Sequence, residues 1–269
     1  MDFPPLLYKY RPCDKYNEDI LLAHEMFLPR PSTFNDPFDC RIKLAFDGAP
    51  EDWVRFLSAR LREGHPDWSD GRLMTEVSAL IDGGMPYLAQ TPGFAESLIQ
   101  EDLSKMEVLC LSERRDDILM WAHYADSHRG LCFGFAPQEW VLLKHHAKPV
   151  HYQEDYPIVN ALRGTLEEAR QALAFTKSTA WAYEREWRVV RAATSGQRYR
   201  FPAQALAEVI FGARIPPADQ RRILVMGHRS PCRPRYLQAV PDTTGYQLNC
   251  VELPVTDDIV AEALGEFTT

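Results

Sequence analysis

The sequence predicts an α+β fold. Short strand-like runs occupy both ends of the chain, and the helix-like segments fall irregularly among them. A doubly wound α/β protein would instead alternate strands and helices regularly. With 269 residues, 45% of them hydrophobic and 25% charged, the composition is that of an ordinary globular protein. We expect a single domain over residues 1–269, with a helical insertion at 50–105.

The elements of the N-terminal half follow from local patterns. LLYKYRP predicts a strand, because its side chains alternate in character and proline ends the run. Asn17–Glu25 has helical spacing after an Asn17 cap. A loop containing Phe34–Asp39 then leads into another strand. The insertion predicts three amphipathic helices, WVRFLSARLREG, RLMTEVSALIDGG and GFAESLIQEDLSKM.

The second half returns to strands. Asp116–Asp126 and Thr165–Ala182 are predicted helices, and EREWRVVR alternates as a strand with Glu184, Glu186 and Arg188 on one face. The remaining predicted strands are Val108–Ser112, Leu131–Phe135, Val150–Asp155, Ala207–Gly212, Arg235–Val240 and Tyr246–Leu253.

Charge and hydropathy exclude several classes of protein. The net charge of −8 argues against a broad nucleic-acid-binding surface. No signal-peptide pattern is visible and no apolar run is long enough to span a bilayer, which predicts a cytoplasmic protein without a membrane partner. The six cysteines form no CxxC pair, and Cys110 and Cys132 lie in apolar runs typical of buried core thiols.

Tyr183–Arg188 is the first cluster that could carry chemistry. Glu184 and Glu186, two apart at the start of a strand, would point the same way, about 6–7 Å apart. One carboxylate could accept a hydrogen bond from a sugar hydroxyl while the other acts as a base or stabilises a cationic transition state. The alternative is an edge strand with cross-strand ion pairs.

Met120–Gly130 is the second cluster. On a helix, Trp121, His123 and Tyr124, with His128 near its end, would form an aromatic and imidazole wall for a planar ring. Alternatively these side chains are core. His123 and His128 are five apart, not four as in a zincin helix, and we predict no metal site.

Two further clusters lie in the N-terminal part. Phe34–Asp39 suits an Asx-turn loop that either contacts a ligand through Phe38 or is purely structural. Lys9 and Arg11 project from one face of the first strand. They could hold a phosphate or a carboxylate, or simply discourage edge-to-edge aggregation. The GxGxxG, GxxxxGK[ST], GxSxG and HExxH motifs are absent, which removes the ordinary Rossmann, P-loop, α/β-hydrolase and zincin functions.

Taken in order, these motifs resemble a bacterial family known only as a domain of unknown function. The motifs that carry the resemblance are LYKYR (Leu7–Arg11), FNDPFD (Phe34–Asp39), CxSE (Cys110–Glu113), MWxHYxxxHxG (Met120–Gly130) and YExEWR (Tyr183–Arg188).

A more distant resemblance is to ADP-ribosyltransferases, one branch of which uses an arginine on the first strand, a serine on a central strand and an ExE pair. It implies a central mixed or split antiparallel sheet and NAD as the substrate. Glu186, Glu184 and Ser112 would then be catalytic. The NAD-binding residues would be Arg11, Lys9, Tyr10, Phe38, Trp121, His123, Tyr124 and His128.

Three hypotheses remain open. The first is an NAD-consuming mono-ADP-ribosyltransferase acting as a toxin or anti-phage effector on a protein or nucleic-acid target. It predicts that Glu186→Gln abolishes activity and leaves the melting temperature nearly unchanged. The second is a non-catalytic module of a defence or toxin system that senses a nucleotide-like ligand or a partner protein. The third is a metal-assisted nuclease or hydrolase using Asp36, Asp39, His123 and Glu186.

Overall fold

The computed structural model of the chain describes residues 3–85, 97, 103–193 and 198–255. They form several helices and a large mixed sheet, which confirms the α+β prediction. The chain divides into two compact units. The first contains Met1–Pro29, Glu107–Val150 and Ala180–Thr269, and the second contains Arg30–Met106 and His151–Thr179. All of the described part of the 50–105 segment belongs to the second unit, and the single-domain organisation stays a prediction.

The strands of the described residues are short. In chain order they are β1 (Leu7–Arg11), β2 (Glu25–Phe27), β3 (Lys43–Ala45), β4 (Met106–Ser112), β5 (Leu131–Phe135), β6 (Lys148–Pro149), β7 (His151–Gln153), β8 (Ile158–Asn160), β9 (Thr176–Ser178), β10 (Glu186–Ala192), β11 (Arg198–Arg200), β12 (Leu206–Phe211), β13 (Arg235–Pro241) and β14 (Leu248–Glu252).

The helices of the same residues are of moderate length. The α-helices are α1 (Pro50–Gly64), α2 (Asp70–Asp82), α3 (Ile118–Tyr124), α4 (Val141–His146), α5 (Leu166–Phe175) and α6 (Pro217–Arg229). Single 3-10 or π turns occur at Asp19–Ala23, Pro31–Thr33, Pro137–Glu139, Thr179–Glu184 and Ala203–Ala205. Among the described helices, none combines the length and apolar character needed to cross a bilayer.

Eight strands of the first unit form one sheet, in the order β14-β13-β12-β5-β1-β4-β10-β6. β12 and β13 are parallel, whereas β1 is antiparallel to both of its neighbours. β1 pairs with β5 along its whole length, but its register with β4 consists of one pair, Tyr8 with Ser112. The centre of the sheet is therefore loosely joined between β1 and β4.

Hydrophobic clusters form on both faces of this sheet. Since side chains alternate along a strand, Leu7 and Tyr8 point to opposite faces. Leu7 belongs to a cluster with Phe133 and other buried apolar side chains. Tyr8 belongs to a second cluster with Trp121, whose ring meets that of Tyr10 edge to face at 5.2 Å. Both faces of β1 are thus fixed by packing.

The second unit is built around α1 and α2. Leu57, Leu73 and Val77 form the hydrophobic contact between these helices, as their predicted amphipathic patterns require. Trp53 stacks on Phe46 with the ring centroids 5.7 Å apart. β3 pairs with β8 and β7 with β9, both in parallel. The third helix predicted in the insertion falls largely on residues outside the described ranges.

Several predicted elements differ from the structure. The predicted helix Asn17–Glu25 is one π turn, Asp19–Ala23, because His24 adopts a left-handed conformation with φ 53°. The predicted helix Thr165–Ala182 ends at Phe175, since the next three residues pair with β7 as strand β9. The sequence prediction also lacked α6, whose first residue is Pro217.

Candidate functional site

Three neighbouring strands of the first unit bring together four residues that the sequence predicts to be functional. Lys9 lies on β1, Ser112 ends β4 and Glu186 begins β10, and these strands are adjacent in the sheet. Glu184 lies two residues before β10. Residues that are about 70 to 180 positions apart in the chain therefore meet at one place in the sheet.

Glu186 is buried beside a fully buried arginine. Its carboxylate accepts two hydrogen bonds from Arg188, from Nε at 2.8 Å and from Nη2 at 2.9 Å. The Cys110 thiol also hydrogen-bonds to this carboxylate, and burial raises the pKa of the thiol well above its usual value, with the Glu186 charge adding to the shift. Bidentate pairing of this kind fixes both side chains in position.

Glu184 is held by a different set of contacts. Its Oε1 accepts a hydrogen bond of 2.7 Å from the Tyr124 hydroxyl. Its backbone carbonyl accepts one of 2.5 Å from the Ser112 hydroxyl. Glu184 is only 2% exposed, compared with 5% for Glu186. Ser112 thus orients the backbone at Glu184, and Tyr124 orients its carboxylate.

The predicted strand EREWRVVR is wrong at its start. Glu184 ends the 3-10 turn Thr179–Glu184, and Arg185 adopts a left-handed conformation with φ 43°. The two glutamates therefore do not occupy alternate positions of one strand. A hydrogen bond from the Glu113 amide to the Arg185 carbonyl, 3.1 Å long, fixes this reversal of the backbone.

Lys9 lies near enough to both carboxylates for their charges to act on its pKa. Its Nζ donates a hydrogen bond of 3.0 Å to the Cys110 carbonyl, where β1 and β4 are no longer paired. Burial lowers the pKa of Lys9, and the nearby Glu184 and Glu186 charges oppose that shift. Arg11, two positions along β1, is partly buried and lies 3.8 Å from the Asp14 carboxylate. Both basic residues therefore have partners within the protein.

The predicted aromatic wall is only partly at the surface. His123 is exposed, and its ring contacts those of Tyr124 and Trp181, which are half-buried, with centroid distances of 6.3 and 6.0 Å. Tyr183 is half-buried and continues the row beyond Trp181. Trp121 is completely buried and therefore supports the wall from the core.

Two other predicted NAD-binding residues are placed away from Lys9. Tyr10 points to the opposite face of β1, is 5% exposed, and donates a hydrogen bond of 2.8 Å to the Arg114 carbonyl. His128 stacks against Trp121 and lines a cavity that contains none of the residues around Glu184. Tyr10 is thus packed in the core, and His128 belongs to a different surface.

The Phe34–Asp39 cluster belongs to the second unit. Asp36 accepts a hydrogen bond from the Phe38 amide, as expected of an Asx turn, and the Phe38 side chain is 67% exposed. Asp39 forms a buried ion pair with Lys177 at 3.6 Å. A cavity of about 740 Å³ is lined mainly by this loop and by β3.

The described residues contain no group of three or more His, Cys, Asp or Glu side chains arranged to hold a metal ion.

Sequence reasoning missed one charged cluster of the first unit. Glu208 on β12 is completely buried and accepts hydrogen bonds from Tyr8, Arg115 and Arg235. The Tyr8 hydroxyl has a raised pKa, mainly through burial and also through the Glu208 charge. The sequence did contain a signal for this cluster. Glu208 is an acid inside the apolar run LAEVIF, and a carboxylate buried in such a run requires partners.

One family model matches the chain, over residues 120–189, and it is described as a protein of unknown function (DUF2971). The matched segment begins with the Met120–Gly130 cluster and ends one residue after the Tyr183–Arg188 cluster. It therefore supports the resemblance to a family of unknown function. Neither the curated proteins nor the solved structures gave a match.

Proposed function

We propose that this protein is an NAD-consuming mono-ADP-ribosyltransferase whose reaction site lies in the first unit. One observation carries the proposal: Lys9, Ser112 and the pair Glu184 and Glu186 meet across neighbouring strands. A basic residue, a serine and an ExE pair, in this chain order, are what the distant resemblance implies.

The carboxylates suit the chemistry of this reaction. When the bond between nicotinamide and ribose breaks, nicotinamide leaves with the electron pair and the sugar develops oxocarbenium character. A fixed carboxylate in a site of low polarity stabilises that positive charge. Glu184 is fixed by Tyr124 and Glu186 by Arg188, so neither carboxylate has to reorganise during the reaction.

Lys9 and the partly exposed rings supply the binding functions. An ammonium group is a point charge suited to the pyrophosphate of NAD. The rings of Tyr124 and Trp181, half-buried near Glu184, suit stacking against a nicotinamide or adenine ring. Ser112 would act as a positioning residue, because it holds the backbone of Glu184.

The first experiment measures nicotinamide released from NAD in the presence of a bacterial lysate as the source of acceptors. We expect the wild type to release nicotinamide. In Glu184→Gln the rate of release should fall about 10²–10³-fold, since that is the usual effect of removing one group that stabilises transition-state charge. We expect Tyr124→Phe, which removes only the hydroxyl on Glu184, to lose about tenfold, in line with one hydrogen bond of about 1.5 kcal/mol.

Glu154→Gln serves as the matched control, because Glu154 is exposed and lies in the second unit. Its rate should equal that of the wild type. If the wild type releases no nicotinamide and labels no component of the lysate, the proposal fails. A melting curve for each variant separates loss of chemistry from loss of folding.

A second candidate is a non-catalytic module that binds an NAD-like ligand. It is favoured by the burial of both carboxylates and by the full occupation of Glu186 by Arg188. Isothermal titration with NAD distinguishes the two candidates. Binding without release of nicotinamide supports the sensor, whereas binding with release supports the transferase.

A further inference from the structure

The first unit contains a cavity of about 640 Å³ at the surface that His128 helps to form. This volume falls within the range of roughly 300–1,000 Å³ typical of small-molecule sites. Its other walls come from Ile118 at the start of α3, from Arg214 after β12, and from the loop between β13 and β14. None of the residues around Glu184 lines it.

The backbone at His128 is fixed in an unusual conformation. Asp126, Ser127 and His128 are three consecutive residues with positive φ, of 46°, 53° and 69°. Two glycines make the turn possible by their small size. A Cβ on Gly130 would lie 2.1 Å from the Arg11 carbonyl oxygen, and a Cβ on Gly212 would lie 2.2 Å from the His128 carbonyl oxygen. Such strain is held in place only where the surroundings fix it, and it concentrates at binding sites.

Arg214 supplies a positive charge at the cavity. In the part of the chain that the structure describes, its guanidinium forms no ion pair. Asp242 is the acid of the wall, but its carboxylate is occupied by the Thr244 amide, the Thr244 hydroxyl and the Gly245 amide at 2.7–2.9 Å. Burial and the Arg214 charge lower the pKa of His128, which favours the neutral imidazole.

Part of the wall offers aromatic and apolar surface. Tyr246 is 100% exposed on the loop after β13, and Ile118 is 39% exposed on α3. An exposed tyrosine ring provides a stacking surface for a base without the need for specific hydrogen bonds. The cavity thus combines a cation, an imidazole, an aromatic ring and the hydrogen-bonded Asp242 carboxylate.

We propose that this cavity binds a nucleoside monophosphate, with the phosphate on Arg214 and the base on Tyr246. A planar guanidinium binds two phosphate oxygens at once, which favours arginine as the anchor. This site does not depend on the reaction proposed above, because it uses none of the residues assigned to that reaction.

Isothermal titration with AMP, GMP, CMP and UMP tests the proposal. We expect saturable binding of at least one of them to the full chain. Arg214→Gln should weaken that binding at least tenfold, and Tyr246→Ala should weaken it several-fold. The parent nucleoside should bind at least tenfold more weakly than the monophosphate. Glu184→Gln should bind the nucleotide as the wild type does, because Glu184 does not line the cavity.

Arg229→Gln is the matched control, since Arg229 is an exposed arginine at the end of α6 that does not line the cavity. Absence of binding by all four nucleotides overturns the proposal, as does equal binding by the wild type and Arg214→Gln. A 5′-phosphorylated oligonucleotide that binds more tightly than every mononucleotide would assign the cavity to a nucleic-acid end and would also overturn it.

Discussion

At the scale of single residues, the site depends on buried charges that neutralise one another. Glu186 and Arg188 are both buried, and they form a bidentate pair. Removing one member of such a pair leaves the other charge without a partner in a medium of low polarity. This changes the expectation that Glu186→Gln affects activity alone. It is also why the first test of the reaction uses Glu184.

We therefore expect Glu186→Gln to lower the free energy of unfolding by about 3–5 kcal/mol, because the Arg188 guanidinium loses its counter-charge. Urea denaturation measures this loss. Asp126→Asn is the control: it breaks a similar bidentate pair, with Arg129, whose side chains are both half-exposed, and it should change stability little. Equal losses in the two variants would contradict the assigned role of burial.

The identity of the site residues was more predictable than their arrangement. Two carboxylates next to Arg188 in YEREWR already indicate a charged cluster. That Glu184 would meet Tyr124, 60 residues away, and that Lys9 would reach the Cys110 carbonyl, 101 residues away, depends on which strands become neighbours. Local alternation also gives no sign of the left-handed Arg185, which separates the two glutamates.

At the scale of elements, the turn after α3 shows how close contacts constrain the sequence. The predicted helix Asp116–Asp126 is longer than α3, which ends at Tyr124, and three left-handed residues, Asp126–His128, follow. Gly130 is required at the end of this turn because it lies close to the β1 backbone. The turn is therefore a tertiary feature as well as a helix terminus.

We expect Gly212→Ala to destabilise the protein by about 1–3 kcal/mol or more, because the new methyl group would overlap the His128 carbonyl. Gly71→Ala is the control, since no atom lies within 4 Å of its Cβ position and it lies in α2. There we expect a gain of up to about 1 kcal/mol from helix propensity. Thermal and urea denaturation measure both changes, and a neutral Gly212→Ala would contradict the close approach.

Elements with strong boundaries were predictable, and those decided by distant pairing were not. β5 was predicted with its bounds, Leu131–Phe135, because a short apolar run lies between Gly130 and an Ala-Pro pair. The helical pattern after Thr165 continues past Phe175, but Thr176–Ser178 forms a strand through pairing with β7, and Lys177 in it reaches Asp39. A local pattern holds no information about that partner strand.

At the scale of the whole molecule, the fold class was predictable and the division of the chain was not. Irregular strands and helices indicated α+β, which the sheet confirms. The second unit, however, takes residues from Arg30–Met106 and from His151–Thr179, two segments separated by part of the first unit. The segment that matches the family model passes through both units. The end of the predicted insertion at residue 105 lies next to the boundary at Met106, but the other boundaries follow from long-range contacts that local patterns do not show.

Hydrogen exchange on the full chain distinguishes the proposed NAD site of the first unit from the Phe34–Asp39 cavity of the second unit. A ligand present at about 100 times its dissociation constant stabilises the folded protein by about 2.7 kcal/mol relative to the unfolded chain. We expect NAD to slow amide exchange in β1, β4, α3 and the start of β10, because their side chains surround Lys9 and Glu184. The amides of α2 serve as the internal reference. Protection confined to Phe34–Asp39 would instead assign the ligand to the cavity beside that loop and would exclude the site on the sheet.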